Sequence, residues 1–66
     1  MNLRPVSSSR MNAVGWENNT MYIRFKNGSV YAYMNVSESQ YTDFINSPSL
    51  GSALAQFDKV HPYHRV

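Results

Sequence analysis

Apolar and polar positions alternate through the middle of the chain. In Met21-Tyr22-Ile23-Arg24-Phe25 the apolar residues Met21, Ile23 and Phe25 fall at every second place, and Val30-Tyr31-Ala32-Tyr33-Met34 resumes the period after a break. A period of two marks a half-buried strand. The break is Asn27-Gly28. Asn-Gly between alternating runs is the strongest short-range hairpin signal, because both central positions of the favoured turn need positive φ. A two-residue turn there pairs Lys26 with Ser29, Phe25 with Val30 and Arg24 with Tyr31. It goes on to pair Ile23 with Ala32, Tyr22 with Tyr33 and Met21 with Met34. Met21, Ile23, Phe25, Val30, Ala32 and Met34 then share a core face, while Tyr22, Arg24, Lys26, Ser29, Tyr31 and Tyr33 share the other. A slip of one residue would mix the two sets.

The flanking segments are less regular. Ser9 to Trp16 reads as a third strand, but Met11 and Val14 lie three apart, which breaks the period, and Gly15 beside the break suggests a bulge. Glu17-Asn18-Asn19 turns the chain into Thr20. Beyond Met34 the period becomes helical. Ser37 and Gln40 form a capping box, and Val36 and Tyr41 stand where a hydrophobic staple would pack. Tyr41, Phe44 and Ile45 make a short apolar stripe that Asn46-Ser47-Pro48 ends. A second helix starts near Ser49, with Leu50, Ala53, Leu54 and Phe57 at the i, i+3, i+4, i+7 spacing. The tail, His61 to Val66, is either a short extended piece or frayed. The predicted architecture is α+β: a three-stranded antiparallel meander followed by two short helices packed on one face.

Composition bounds what such a domain can do. At 66 residues and with no cysteine, the chain is one domain that buries only ~60% of its unfolded surface and has no disulfide to brace it. Self-association is therefore an expected support. A thiolate metal site is excluded. Lys+Arg 6 against Asp+Glu 4 leaves +2. A protein tracking a duplex through about six phosphates would need nearly every cation on one face; the surplus suits a ligand with one or two phosphates. The start, MNLRPVSSSR, lacks the apolar stretch of a secretory signal. No apolar run approaches the ~20 residues of a membrane span. The expected location is the cytoplasm, or the host cytoplasm for a phage-encoded chain, with no membrane partner.

Candidate chemistry follows from the predicted faces. Tyr22, Tyr31 and Tyr33 beside Arg24 would make a planar platform able to stack a nucleobase and contact a phosphate. Cross-strand tyrosines also stabilise sheets without any ligand, and tyrosine with arginine is equally at home in a dimer interface. The segment Ser47-Pro48-Ser49-Leu50-Gly51-Ser52 places a helix N-terminus where Gly51 leaves the backbone approachable and Ser49 or Ser52 adds a hydroxyl. Capping is the ordinary role of Ser49. Ser7-Ser8-Ser9-Arg10 offers further hydroxyls and a cation. His61 and His64 lack a third ligand and an orienting carboxylate, so both read as surface histidines and no metal is expected. No G-x-S-x-G, H-E-x-x-H or paired-carboxylate spacing occurs, and neither catalysis nor a cofactor is expected.

Taken together, several segments resemble a known family. Val6-Ser7-Ser8-Ser9-Arg10-Met11, Val14-Gly15-Trp16, Met21-x-Ile23-x-Phe25-x-x-Gly28, Tyr31-x-Tyr33-x-x-Val36, then Tyr41, Phe44, Ser49-x-Gly51 and Phe57 follow the order of the KTSC domain. That domain is named for its place at the C-terminus of some lysyl-tRNA synthetases and also occurs alone. The resemblance covers nearly the whole of 1–66, read as a single KTSC-like domain. Trp16 stands where another aromatic is expected, Ser37 where Pro is common, and Leu54 in a region often aromatic. The resemblance implies nucleic-acid binding or, by likeness to stand-alone phage proteins, sequestration of nucleotide immune signals such as cyclic dinucleotides. The leading expectation is a non-enzymatic nucleotide-binding sponge. In it Tyr31 and Tyr33 stack bases, Arg24, Ser49, Gly51 and Ser52 contact phosphates, and Tyr63 and Arg65 close the site from the tail. RNA or single-strand binding is the alternative, and a protein-interaction module is the third.

Overall fold

Residues 2–66 are described by a computed structural model of the chain; residue 1 of the expected domain lies outside them. The first hairpin closes at Asn18-Asn19, with φ of 52° and 60°. Asparagine tolerates the left-handed region because its short side chain can bond locally. A two-residue turn results, opposing Glu17 to Thr20 between β2 (Met11–Glu17) and β3 (Thr20–Phe25). The register then runs Trp16 against Met21 and Val14 against Ile23. It shifts between Met11 and Ala13, so the bulge falls at Asn12 and not beside Gly15 as the pattern suggested. Gly15 answers a different need: a Cβ there would meet the Asn2 carbonyl oxygen at 2.5 Å and the Leu3 side chain at 2.9 Å. The N-terminal segment comes up against the strand at that point and leaves no room for a side chain.

The second hairpin departs from expectation by one residue. Phe25 N–H donates to Ser29 O (2.8 Å), Gly28 N–H donates to Phe25 O (2.9 Å), and Gly28 alone of the loop has positive φ, +91°. Lys26-Asn27-Gly28 is thus a three-residue loop ending in a left-handed glycine. Asn27 Oδ1 accepts from Ser29 N–H and helps hold it. Arg24 then opposes Val30, Ile23 opposes Tyr31, Tyr22 opposes Ala32 and Met21 opposes Tyr33 across β4 (Val30–Tyr33). Directly opposed residues share a face. Tyr31 and Tyr33 therefore lie on the core side with Met21 and Ile23, while Val30 and Ala32 join Arg24 and Tyr22 on the outer side. The tyrosine-arginine platform of the two-residue reading does not form.

The sheet has five strands and not three, in the order β1-β2-β3-β4-β5 with every neighbouring pair antiparallel. The added strands are β1 (Arg4–Pro5) and β5 (Tyr63–Arg65). They are two and three residues long, too short for any period to register. Two helices, α1 (Glu38–Ile45) and α2 (Leu50–Val60), lie between β4 and β5. Ser37 and Gln40 close the capping box of α1 reciprocally at 2.9 and 3.1 Å. Ser49 caps α2. Phe44 and Leu54 from the helices join Met11, Val14, Met21, Ile23, Tyr33 and Val36 in one buried cluster. Trp16 fixes the way into the helices, its indole N–H donating to Val36 O at 2.7 Å.

His61 corrects the expectation of two surface histidines. It is 7% exposed, lies on the Phe57 ring, and its Nδ1 is 3.1 Å from Met34 O. The chain turns at Pro62 to bring β5 back along β4, and Met34 N–H donates to Pro62 O at 2.8 Å. That return presses His61 against the helix. His64 is exposed.

Candidate functional site

The helices do not cover the whole core-side face of the sheet. Beyond them lies an open basin of about 510 Å³, floored by Phe25, Tyr31, Tyr33 and Tyr63. That size falls within the ~300–1,000 Å³ of small-ligand sites. The floor is a consequence of register. Phe25 follows Met21 and Ile23 on its strand, Tyr31 opposes Ile23, and Tyr63 opposes Tyr33 from β5. The rings touch in sequence: Phe25 edge-on to Tyr31 at 5.6 Å, Tyr31 tilted against Tyr63 at 6.1 Å, and Tyr63 stacked on Tyr33 at 5.0 Å and 29°. Tyr33 is 2% exposed, so Tyr63, 49% exposed, presents the upper ring.

The rim is polar. Ser9 and Arg10 come from the lead-in to β2, and Lys26, Asn27 and Ser29 from the second hairpin loop. Lys26 N–H donates to Arg10 O at 3.0 Å, which holds the two basic residues side by side along the backbone. From the helical side comes Asp58, whose Oδ1 accepts the Tyr33 hydroxyl proton at 2.7 Å. The Tyr33 hydroxyl is pushed well above the ordinary tyrosine range. Burial is the largest cause, followed by the hydrogen bond to Asp58 and the charge of that carboxylate; Arg10 opposes the shift. Tyr33 thus remains a protonated donor, and Arg10 lies close enough to act on it.

Of the residues singled out from the sequence, the basin gathers Tyr31, Tyr33 and Tyr63. Arg24 is on the opposite face, across from Val30 and Ala13. Arg65 opposes Tyr31 on the edge strand and is exposed, outside the basin wall. Ser49, Gly51 and Ser52 sit at the far end of α2 from Asp58, about six to nine residues or roughly 9–13 Å along the axis. Their hydroxyls serve the cap: Ser49 Oγ accepts from Ser52 N–H at 3.4 Å and is 3.2 Å from Ser52 Oγ. They also do not line the second cavity, about 340 Å³ between the helices, whose walls include Phe44, Phe57, Ala53 and Gln40. Ser9 and Arg10, read from the sequence only as a supply of hydroxyls and a cation, are brought onto the rim.

Phe25, Lys26 and Asp58 were missed. Counting Asn27-Gly28 as the end of a three-residue loop would have put Phe25 and Tyr31 on one face. Nothing local marks Asp58, whose partner Tyr33 is 25 residues away. Among the described residues no cluster of His, Cys, Asp or Glu could hold a metal ion, and no helix is long and apolar enough to cross a membrane.

A five-stranded antiparallel meander carrying two helices on one face, with an aromatic basin left open beside them, defines a small α+β domain. The KTSC domain pattern matches residues 7–63, and the chain belongs to that family. It is similar in structure to a KTSC domain protein from Yersinia pestis solved by crystallography. The two share 29% identity over 98% of this chain and 96% of the other, with a TM-score of 0.82. No curated protein matches the chain significantly.

Proposed function

We propose that this protein binds a small phosphorylated ligand with a stackable ring, a nucleotide, in the aromatic basin, and holds it without chemical change. The observation that carries this reading is the meeting of an exposed ring, Tyr63 stacked on Tyr33 and tilted against Tyr31, with Arg10 and Lys26 on one rim. Aromatic faces bind any base, and neighbouring cations bind phosphate. Neither histidine lines the basin, and the Ser29 hydroxyl on its rim donates to Asn27 Oδ1 at 2.6 Å. Retention without turnover suits a sponge that sequesters cyclic nucleotide signals. The stacking role passes from Tyr33 to Tyr63, because Tyr33 is the ring underneath. The phosphate role passes from Arg24 to Arg10 and Lys26.

Calorimetry across cyclic mono-, di- and trinucleotides tests the reading, with native mass spectrometry reporting ligand and oligomer together. At least one nucleotide is expected to bind at micromolar concentration or tighter and to be recovered intact. Stacking on an aromatic is worth about 1–3 kcal/mol per base, so Tyr63→Ala should weaken binding by roughly 5- to 150-fold with the far-UV spectrum unchanged. No micromolar binder in the panel would overturn the proposal. Affinity only for oligonucleotides, falling with salt by about 0.7 of a log unit per phosphate for each tenfold rise in salt, would replace it with single-strand RNA binding.

A further inference from the structure

We infer that Asp58 makes the basin selective for guanine over adenine, an inference that rests on the nucleotide reading above. A carboxylate on the wall of a site built for an anion weakens binding unless it receives a hydrogen bond from the ligand. Asp58 is such a carboxylate: it lines the same basin as Arg10 and Lys26 and is exposed. It also has capacity to spare. An ionised carboxylate has about four acceptor positions, and the Tyr33 hydroxyl occupies one, on Oδ1 at 2.7 Å.

Position along the strand assigns the two ends of a ligand. Lys26, Asn27 and Ser29 lie at the hairpin end, while Asp58 is bonded to Tyr33 at the other end of β4. From Ser29 to Tyr33 is about four residues of strand, roughly 13 Å. Tyr31 lies between, and Tyr63 stands level with Tyr33 at the Asp58 end, stacked on its ring. A nucleotide stacked on Tyr63 with its phosphate toward the hairpin therefore directs an edge of its base at Asp58.

The donor pattern of that edge decides which base fits. Guanine presents two adjacent donors, N1–H and the N2 amino group, which a carboxylate accepts together. Adenine presents its N6 amino group beside N1 or N7, both acceptors, so one carboxylate oxygen would face a lone pair. A hydrogen bond to a charged group corresponds to about tenfold or more in affinity, and an unmatched acceptor adds to the difference.

The test is calorimetry with cyclic GMP against cyclic AMP and cyclic di-GMP against cyclic di-AMP, on wild type, Asp58→Asn and Tyr33→Phe. Wild type is expected to bind the guanine member of a pair at least tenfold more tightly. Asp58→Asn keeps an oxygen for the Tyr33 hydroxyl but loses the charge and one acceptor, so the preference should fall to within about threefold. Tyr33→Phe removes the hydroxyl and leaves the carboxylate, and should weaken both bases alike while most of the ratio survives. If wild type binds both bases equally, or adenine more tightly, guanine selectivity is overturned and the nucleotide reading stands. If Tyr33→Phe erases the ratio as fully as Asp58→Asn, Asp58 acts only by holding Tyr33 and the inference fails. If no member of either pair binds while another cyclic nucleotide does, the base assignment fails alone; if nothing binds, both readings fall.

Discussion

Tyr33 is where the core and the basin meet. Its ring belongs to the buried cluster, its hydroxyl donates to Asp58 from α2, and its upper face carries Tyr63 from β5. One side chain thus ties the sheet, the second helix and the edge strand together. The raised pKa of that hydroxyl has a defined consequence for stability. In the unfolded chain a tyrosine ionises near its ordinary pKa of about 10. The folded protein resists that ionisation, so Tyr33 contributes stability fully below about pH 10 and loses it as pH rises toward the higher folded value. Urea denaturation of wild type and Tyr33→Phe at pH 8 and pH 11 checks the sign. The stability difference between them should shrink at the higher pH, because phenylalanine has no proton to lose. A difference that stays constant or grows would show that the hydroxyl is not held protonated by the fold.

At the scale of elements, the decisive feature is the length of one loop. Strand existence, the Glu17-Asn18-Asn19 turn, the capping box at Ser37 and the Leu50-Ala53-Leu54-Phe57 stripe were all legible, because each is a local pattern with a local cause. The register of β4 was not. Asn27-Gly28 satisfies a two-residue turn and the end of a three-residue loop equally well as a string of letters. The left-handed pair is in fact at Asn18-Asn19, and the second hairpin needs positive φ only at Gly28. That one-residue difference moves Tyr31 and Tyr33 from the outer face to the basin. The short edge strand β5 was left open for another reason: the tail reads equally as a short extended piece or as frayed, and its pairing with the edge of β4 is what makes it β5. Gly28→Ala isolates the loop. Nothing lies within 4 Å of the added Cβ, so the cost is conformational and should be about 1–2 kcal/mol in denaturant unfolding. Gly51→Ala also enters open space but at an ordinary helical φ, and should leave stability equal or slightly raised. Equal losses from both would mean that glycine at position 28 is not needed for its left-handed backbone.

For the whole molecule the governing fact is the small reserve of stability in 66 residues. Total stability for such a length is about 3–10 kcal/mol. Phe44 and Leu54 are the fully buried contributions of the two helices to the shared core, so each supports a large part of that reserve. Leu54→Ala is expected to remove about 2–5 kcal/mol, enough to leave much of the chain unfolded near 37 °C. The basin lies on the same sheet face that those helices cover, and Asp58 on α2 lines it, so a ligand held there binds only the folded arrangement. Linkage then gives a quantitative expectation: ligand at one hundred times its dissociation constant stabilises by about 2.7 kcal/mol. Thermal unfolding of Leu54→Ala, with and without the nucleotide selected by calorimetry, should show most of the lost melting temperature restored. The same nucleotide should fail to rescue the double variant Leu54→Ala with Tyr63→Ala. Rescue that persists without Tyr63 would place the ligand elsewhere on the fold, and absence of rescue in the single variant would mean that binding does not depend on the packed helix.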